Sequence, residues 1–176
     1  LIAVEMGLEV GLKPMQAIQN IAVVNGRPTI WGDAAKALVE ASGLAVRIDE
    51  WVEGEGENMK AICECLRQGR SRVVHWEFSV DDAKRAGLWQ TEKTVKRRGK
   101  DGGFYDAQND SPWYRYPRRM LQMRARGFAL RDAFPDVLKG LYIREELSGE
   151  VIDVTAHEVA DEPIPRPRKA DELAER

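Results

Sequence analysis

The stretch Trp113-Tyr-Arg-Tyr-Pro-Arg-Arg-Met-Leu-Gln-Met-Arg-Ala-Arg-Gly-Phe-Ala-Leu-Arg131 sets six arginines among aromatics and helix-forming apolar residues. Pro117 suits the first position of a helix and Pro135 should kink or end it, so the segment predicts one long helix. At about 100° per residue, Arg118, Arg119, Gln122 and Arg126 fall on one stripe, and Arg124 and Arg131 on a second, on the far side. Between them run two apolar stripes, Leu121 with Phe128, and Met120 with Met123, Leu130 and Phe134. A helix held on two apolar sides belongs to a packed scaffold, and its arginines are expected to emerge along a groove or at a subunit contact. Arginine neutralises phosphate and stacks, and aromatics stack on bases; sequence-tolerant single-strand binders combine the two. A solvated helix face is the plain alternative for the same residues.

Upstream, residues 88–116 show no periodicity, and an irregular stretch of that length in a compact domain is usually functional or disordered. It carries Lys93, Lys96, Arg97, Arg98 and Lys100 ahead of Gly102-Gly103, and is expected to be a basic flexible loop that orders on phosphates. Trp113, Tyr114 and Tyr116, interleaved with Arg115, are its stacking candidates, whereas Trp31 and Trp76 are expected in the core and Trp51 fits either place. Arg27, Lys84 and Arg85 are further candidates to extend a basic groove.

The formal net charge of −2 hides a segregation. Residues 1–83 carry 8 basic against 13 acidic groups, residues 84–131 carry 13 against 4, and residues 132–176 carry 6 against 12. A basic centre between acidic ends is the electrostatic footprint of a polyanion binder.

Fold signals flank this centre. Leu1–Leu12 places Ile2, Glu5, Met6 and Glu9 at helical spacings, which predicts a helix whose natural beginning lies upstream. A short helix over Met15–Gln19 follows, behind Pro14. Asn25-Gly26 between Ile21–Val24 and Arg27–Trp31 is a hairpin signal, with Pro28 on an edge or outside the ladder. Asp33 is expected to cap a helix over Ala34–Ser42 that ends at Gly43. Ala45–Val52, Met59–Leu66 and Arg72–Phe78 predict an antiparallel meander, with Val74, Trp76 and Phe78 on its core face. Ser79 and Asp82 form a capping box for a helix over Val80–Ala86, closed by Gly87. Asp136–Leu147 is a candidate short helix, and residues 148–176, acidic and proline-spaced, are expected to be a disordered tail. The fold class is therefore α+β: a short antiparallel sheet, hairpin plus three-stranded meander, with packed helices, in one core over residues 1–147.

Known catalytic patterns are missing. There is no phosphate-binding G-x-x-x-x-G-K-[ST], no G-x-S-x-G and no H-E-x-x-H. Cys63 and Cys65 are expected to point apart along their strand and to be structural, reduced thiols, and with only His75 and His157 no zinc pattern forms. Asp33, Glu77, Asp81 and Asp82 are the carboxylates a magnesium-dependent nuclease would draw on, although Asp33 and Asp82 have capping roles. No apolar run approaches the roughly 20 residues of a membrane span, and no signal peptide is evident, so the chain is expected to be soluble and cytoplasmic, without a cofactor or metal.

Three segments, Gly11-Leu-Lys-Pro-Met-Gln-Ala-Ile-Gln-Asn20, Val23-Val-Asn-Gly-Arg-Pro-Thr-Ile-Trp-Gly-Asp-Ala34 and Tyr116-Pro-Arg-Arg-Met-Leu-Gln-Met-Arg-Ala-Arg-Gly-Phe-Ala-Leu-Arg-Asp132, resemble phage-encoded proteins of the RecT recombinase family. The resemblance spans roughly residues 1–147. It implies a single-strand annealing protein of the RecT and Redβ group, with a short antiparallel sheet and helices packed on it. It also implies an ATP-independent protein without covalent chemistry, which coats single-stranded DNA as a ring or filament of identical subunits and pairs it with a complement into a nascent duplex. Its usual companions are a phage exonuclease and a host single-strand binding protein. The arginine helix and the aromatics before it carry over as the DNA groove, whereas the Lys93–Lys100 loop rests on charge alone. Two other readings stay open at this point: a phage structural or adaptor protein that uses the basic block and acidic tail for subunit contacts, and a metal-dependent nuclease.

Overall fold

The computed structural model describes residues 2–24, 26–99, 101–146 and the backbone of 151–152. Asn25, Lys100, His157 and all but two residues of the expected tail lie outside that set. Helix α1 (Ile2–Glu9) and helix α2 (Pro14–Asn20) lead in, with Pro14 in the first turn where its missing N–H costs nothing. Their backbones approach closely at Gly7, where an added Cβ would stand 2.2 Å from the Cβ of Ala17. The hairpin β1 (Ile21–Val24) and β2 (Arg27–Ile30) pairs Ile21 with Ile30 and Val24 with Arg27, as the turn signal predicts.

Helix α3 (Gly32–Ala41) starts earlier than expected, and Asp33 does not cap it. The Glu145 carboxylate, from 113 residues away, accepts the Gly32 N–H at 3.2 Å and takes the capping role. Gly43, at φ +69°, closes the helix in the left-handed region. Strands β3 (Ala45–Glu53), β4 (Lys60–Arg67) and β5 (Val74–Ser79) form the antiparallel meander in a sheet of their own. Ile48, Glu50 and Val52 on β3 register with Cys65, Cys63 and Ala61 on β4, and these in turn with Val74, Trp76 and Phe78. That row is the core face, on the parity expected from β5, although Trp76 stays partly exposed while stacking on Phe128 at 5.1 Å.

Cys63 and Cys65 correct the expectation that they diverge. A strand's period is two, so residues two apart share a face, and both thiols are buried with their sulfurs 3.9 Å apart. The neighbouring Cys65 sulfur, then burial, push the Cys63 thiol well above its usual range, and both cysteines are unbridged.

Helix α4 (Val80–Arg85) opens with the expected capping box: the Asp82 N–H donates to Ser79 Oγ, and the Ser79 N–H to Asp82 Oδ2 at 2.8 Å. Residues 88–116 depart from the expected irregular loop. They contain an antiparallel two-stranded arm, β6 (Thr94–Arg98) and β7 (Phe104–Gln108), and a one-turn helix α5 (Pro112–Arg115). The central helix α6 (Pro117–Ala133) packs across the meander's core face. Ala125, Ala129 and Ala133, four apart, share one buried cluster with Ala61, Cys63 and Cys65 of β4, and small residues on both elements let helix and sheet approach closely. Pro135 ends α6 and starts α7 (Pro135–Leu138). Strand β8 (Tyr142–Ile143) then pairs parallel to β2, and β9 (Val151–Ile152), within the stretch expected to be disordered, pairs antiparallel to β1. The hairpin thus grows into a four-stranded sheet ordered β8-β2-β1-β9. Among the described residues, no helix is long and apolar enough to cross a membrane.

Candidate nucleic-acid interface

The arginine stretch divides in two at its first helical turn. Ser111 caps α5 by accepting the Trp113 N–H at 3.3 Å, and Trp113 is buried, its ring 6.5 Å from that of Phe78. Trp113 therefore anchors α5 to the sheet, and its expected role in stacking on bases fails because its face is already covered. Pro117 keeps Tyr116 out of the helical region, at φ −136° and ψ 54°, so the chain bends between α5 and α6 and leaves the Tyr116 ring 64% exposed. Around the bend, Arg115, Arg118 and Arg119 are exposed, Tyr114 is half-buried, and Gln122 accepts from Arg119 at 3.2 Å. Arg119 also donates to Asp33 at 2.7 Å.

Beyond this turn α6 enters the core, and its arginines turn inward. The Arg126 side chain is 4% exposed: its Nε and Nη2 grip both carboxylate oxygens of Glu50, itself 6% exposed, and its Nη1 donates to Asp33 at 2.6 Å. Burial pushes the Glu50 carboxyl up, but the bonds and charges of Arg126 and then Lys36 outweigh this and hold it below the usual range. Arg124 is buried with its guanidinium 5.8 Å over the Phe78 ring, and Arg131 lies 4.9 Å over Tyr142. Arg124 and Arg126 are thus packed scaffold and not groove-facing, because each already spends its guanidinium on a buried carboxylate or aromatic ring. Arg131 is half-buried against its ring.

The arm supplies a second exposed set. Lys93, Lys96, Arg97 and Arg98 are all exposed, and Arg97 pairs with Asp110. Among the described residues, Lys93, Lys96, Arg98, Arg115 and Arg118 make no ion pair. The arm is rooted by Asn109, which is 2% exposed: its side chain donates to Gln90 Oε1 and the Glu92 carbonyl and accepts the Ser111 N–H. Chain connectivity therefore sets the root of the cationic arm directly before the Arg115–Arg118 bend. Lys84 pairs with Glu57 at 2.9 Å, Arg85 with Asp82, and Arg27 lies 5.9 Å over Tyr142, so those three candidates have local partners.

Sequence reasoning missed Phe104 and Tyr105, which are 74% and 53% exposed at the end of the arm. The signal was present: Asp101-Gly102 between two short runs of strand-forming residues is a hairpin pattern. The nuclease carboxylates do not converge. Asp33 serves two arginines, Asp82 caps α4, and Glu77 faces Lys60 at 3.0 Å. Among the described residues, no group of three or more His, Cys, Asp or Glu is placed to hold a metal.

The profile of the RecT family matches residues 12–161, most of the chain. The chain belongs to the RecT family. RecT proteins anneal single-stranded DNA in recombination and have no known catalytic chemistry, which places this chain among DNA-binding annealing proteins. No curated protein and no solved structure matches it.

Proposed function

We propose that this RecT protein binds single-stranded DNA on the exposed cations of the β6–β7 arm and the α5–α6 bend, and anneals it to a complement without ATP, as a homo-oligomeric ring or filament. The observation that carries the reading is the set Lys93, Lys96, Arg98, Arg115 and Arg118, exposed and without ion pairs among the described residues, together with the exposed ring of Tyr116 between the last two. Cations held out from a rigid scaffold neutralise phosphates and lower strand–strand repulsion, while bases stay free to test a complement. Base pairing and stacking, at about 1.4 kcal/mol per step, then drive annealing with no covalent step. Arg97, Tyr114 and Arg119 add to this set, Lys100, outside the described residues, is assigned to it on charge alone, and Arg27, Lys84, Arg85, Gln122 and Arg131 are secondary candidates. In this reading the protein's companions are a phage exonuclease that makes the single strand and a host single-strand binding protein.

The test is pairing of two complementary fluorescent oligonucleotides in EDTA, without nucleotide, across salt. With about five phosphates neutralised at about −0.7 each, binding weakens roughly a hundredfold between 50 and 200 mM salt. Replacing Arg115 and Arg118 by alanine lowers the slope from about 3.5 to about 2.1. Substrate shortening with magnesium would replace the reading by a nuclease, and assembly with no affinity for oligonucleotides would replace it by a structural protein.

A further inference from the structure

Phosphate neutralisation leaves the most exposed aromatic of the chain unused. In the arm's register Arg98 stands opposite Phe104, Arg97 opposite Tyr105 and Lys96 opposite Asp106. Side chains alternate between faces, so Lys96, Arg98, Phe104 and Asp106 share one face, with two cations to one carboxylate, while Tyr105 and Arg97 share the other with half-buried Val95 and Ala107. Phe104 is 74% exposed. It does not hold the arm together: the ladder, the turn bonds of Gly99 to Gly103 and the Asn109 clasp do that.

An apolar ring displayed to water beside two cations that make no ion pair among the described residues calls for a ligand that is flat and apolar in one part and anionic in the next. A protein surface covering Phe104 would also desolvate Lys96 and Arg98, at a cost unless it brought carboxylates. A nucleotide strand brings both parts, a base with a π-face and a phosphate on either side of it. We propose that Phe104 is a base-stacking site for single-stranded DNA, with Lys96 and Arg98 on the phosphates flanking the stacked base. This rests on the single-strand binding reading above and gives the arm a role in holding bases in addition to phosphates.

The experiment compares a thymidine oligonucleotide with an abasic one of equal length and charge, by fluorescence anisotropy on the full chain. The unaltered protein is expected to favour the thymidine strand, and Phe104→Ala to weaken that strand about tenfold, the ratio that 1.4 kcal/mol of lost stacking gives, with abasic binding and salt slope unchanged. Phe104→Leu keeps an apolar side chain but no π-face and gives the same loss. Phe104→Trp retains binding, and Tyr105→Ala has the smaller effect. Equal thymidine binding by Phe104→Ala, or by Phe104→Leu, overturns the inference while leaving the single-strand reading intact. A change of oligomeric size with unchanged affinity per site overturns it in favour of a contact between copies of the chain. Failure of the unaltered protein to bind either strand at low salt overturns the single-strand reading itself.

Discussion

Arg126→Ala separates the two fates of arginine in this helix. The guanidinium makes a two-pronged bond to Glu50 and a third to Asp33, and the Arg126 and Glu50 side chains are 4% and 6% exposed. Removing one partner of such a pair leaves a buried charge uncompensated, which costs about 3–5 kcal/mol. Lys36, whose Nζ lies 3.0 Å from Glu50, still offsets part of that charge, so the lower end, about 3 kcal/mol, is expected. For a chain of this size each kcal/mol moves the melting temperature by about 2–4 °C, hence a fall of about 6–12 °C by circular dichroism. Adding Glu50→Gln to Arg126→Ala should recover part of the loss, because the orphaned charge goes with it. A variant that melts with the unaltered protein while losing affinity for single strands, as an exposed phosphate contact would, refutes the argument and returns Arg126 to the binding surface.

Acid should unfold the chain through four carboxylates. Asp33, Glu50 and Asp82 lie below their usual values because arginine, lysine and serine partners outweigh burial, and the Arg67 bond holds Asp136 down to about 2. Lowered carboxylates give stability that is full above the ordinary values of 3.8 and 4.5 and is lost as pH falls through the folded ones, so melting temperature should fall between about pH 4.5 and 2; a flat profile there contradicts the assignment. Gly7→Ala drives a methyl to 2.2 Å from the Ala17 Cβ, and the overpacking, about 1–3 kcal/mol, should exceed the gain of up to about 1 kcal/mol in helix propensity. A raised urea midpoint would show that α1 and α2 yield instead. Asn109→Ala releases the arm's root, so amide hydrogen exchange should quicken across 93–108 while α6 stays protected, and equal protection of the arm would deny Asn109 that role.

The elements legible in the sequence are those fixed by local chemistry. The period-two run Val74, Trp76, Phe78, the Ser79 and Asp82 box and the glycine after α3 each act within a few residues, and each stands where the pattern puts it. What escaped depends on distant partners. The parallel pairing of Thr29 with Tyr142, and Glu145 on the Gly32 N–H, join segments over a hundred residues apart. The helical wheel gave α6 the directions of its arginines but not what stands opposite them. One clue was available: Glu50 alternates with Ile48 and Val52, so a core-facing row held a carboxylate that required a cation. That requirement calls for a cation in the core, and the fold meets it with Arg126 and Lys36.

Asp33 connects the two populations of arginine. It accepts from buried Arg126 at 2.6 Å and from exposed Arg119 at 2.7 Å, so the clamp that seats α6 on the sheet also orients one of the surface arginines. Such fixing lowers the side-chain entropy lost on binding, which favours affinity. It also sets a competitor beside Arg119, because a phosphate arriving there must share the guanidinium with a carboxylate. Arg118, one residue earlier, makes no ion pair among the described residues. Arg118→Ala should therefore weaken single-strand binding more than Arg119→Ala, and Asp33→Asn should strengthen binding at low salt while destabilising the fold. If Arg119→Ala costs more than Arg118→Ala under matched salt, the carboxylate is not a competitor, and Asp33 instead presents Arg119 as the principal phosphate contact of the bend.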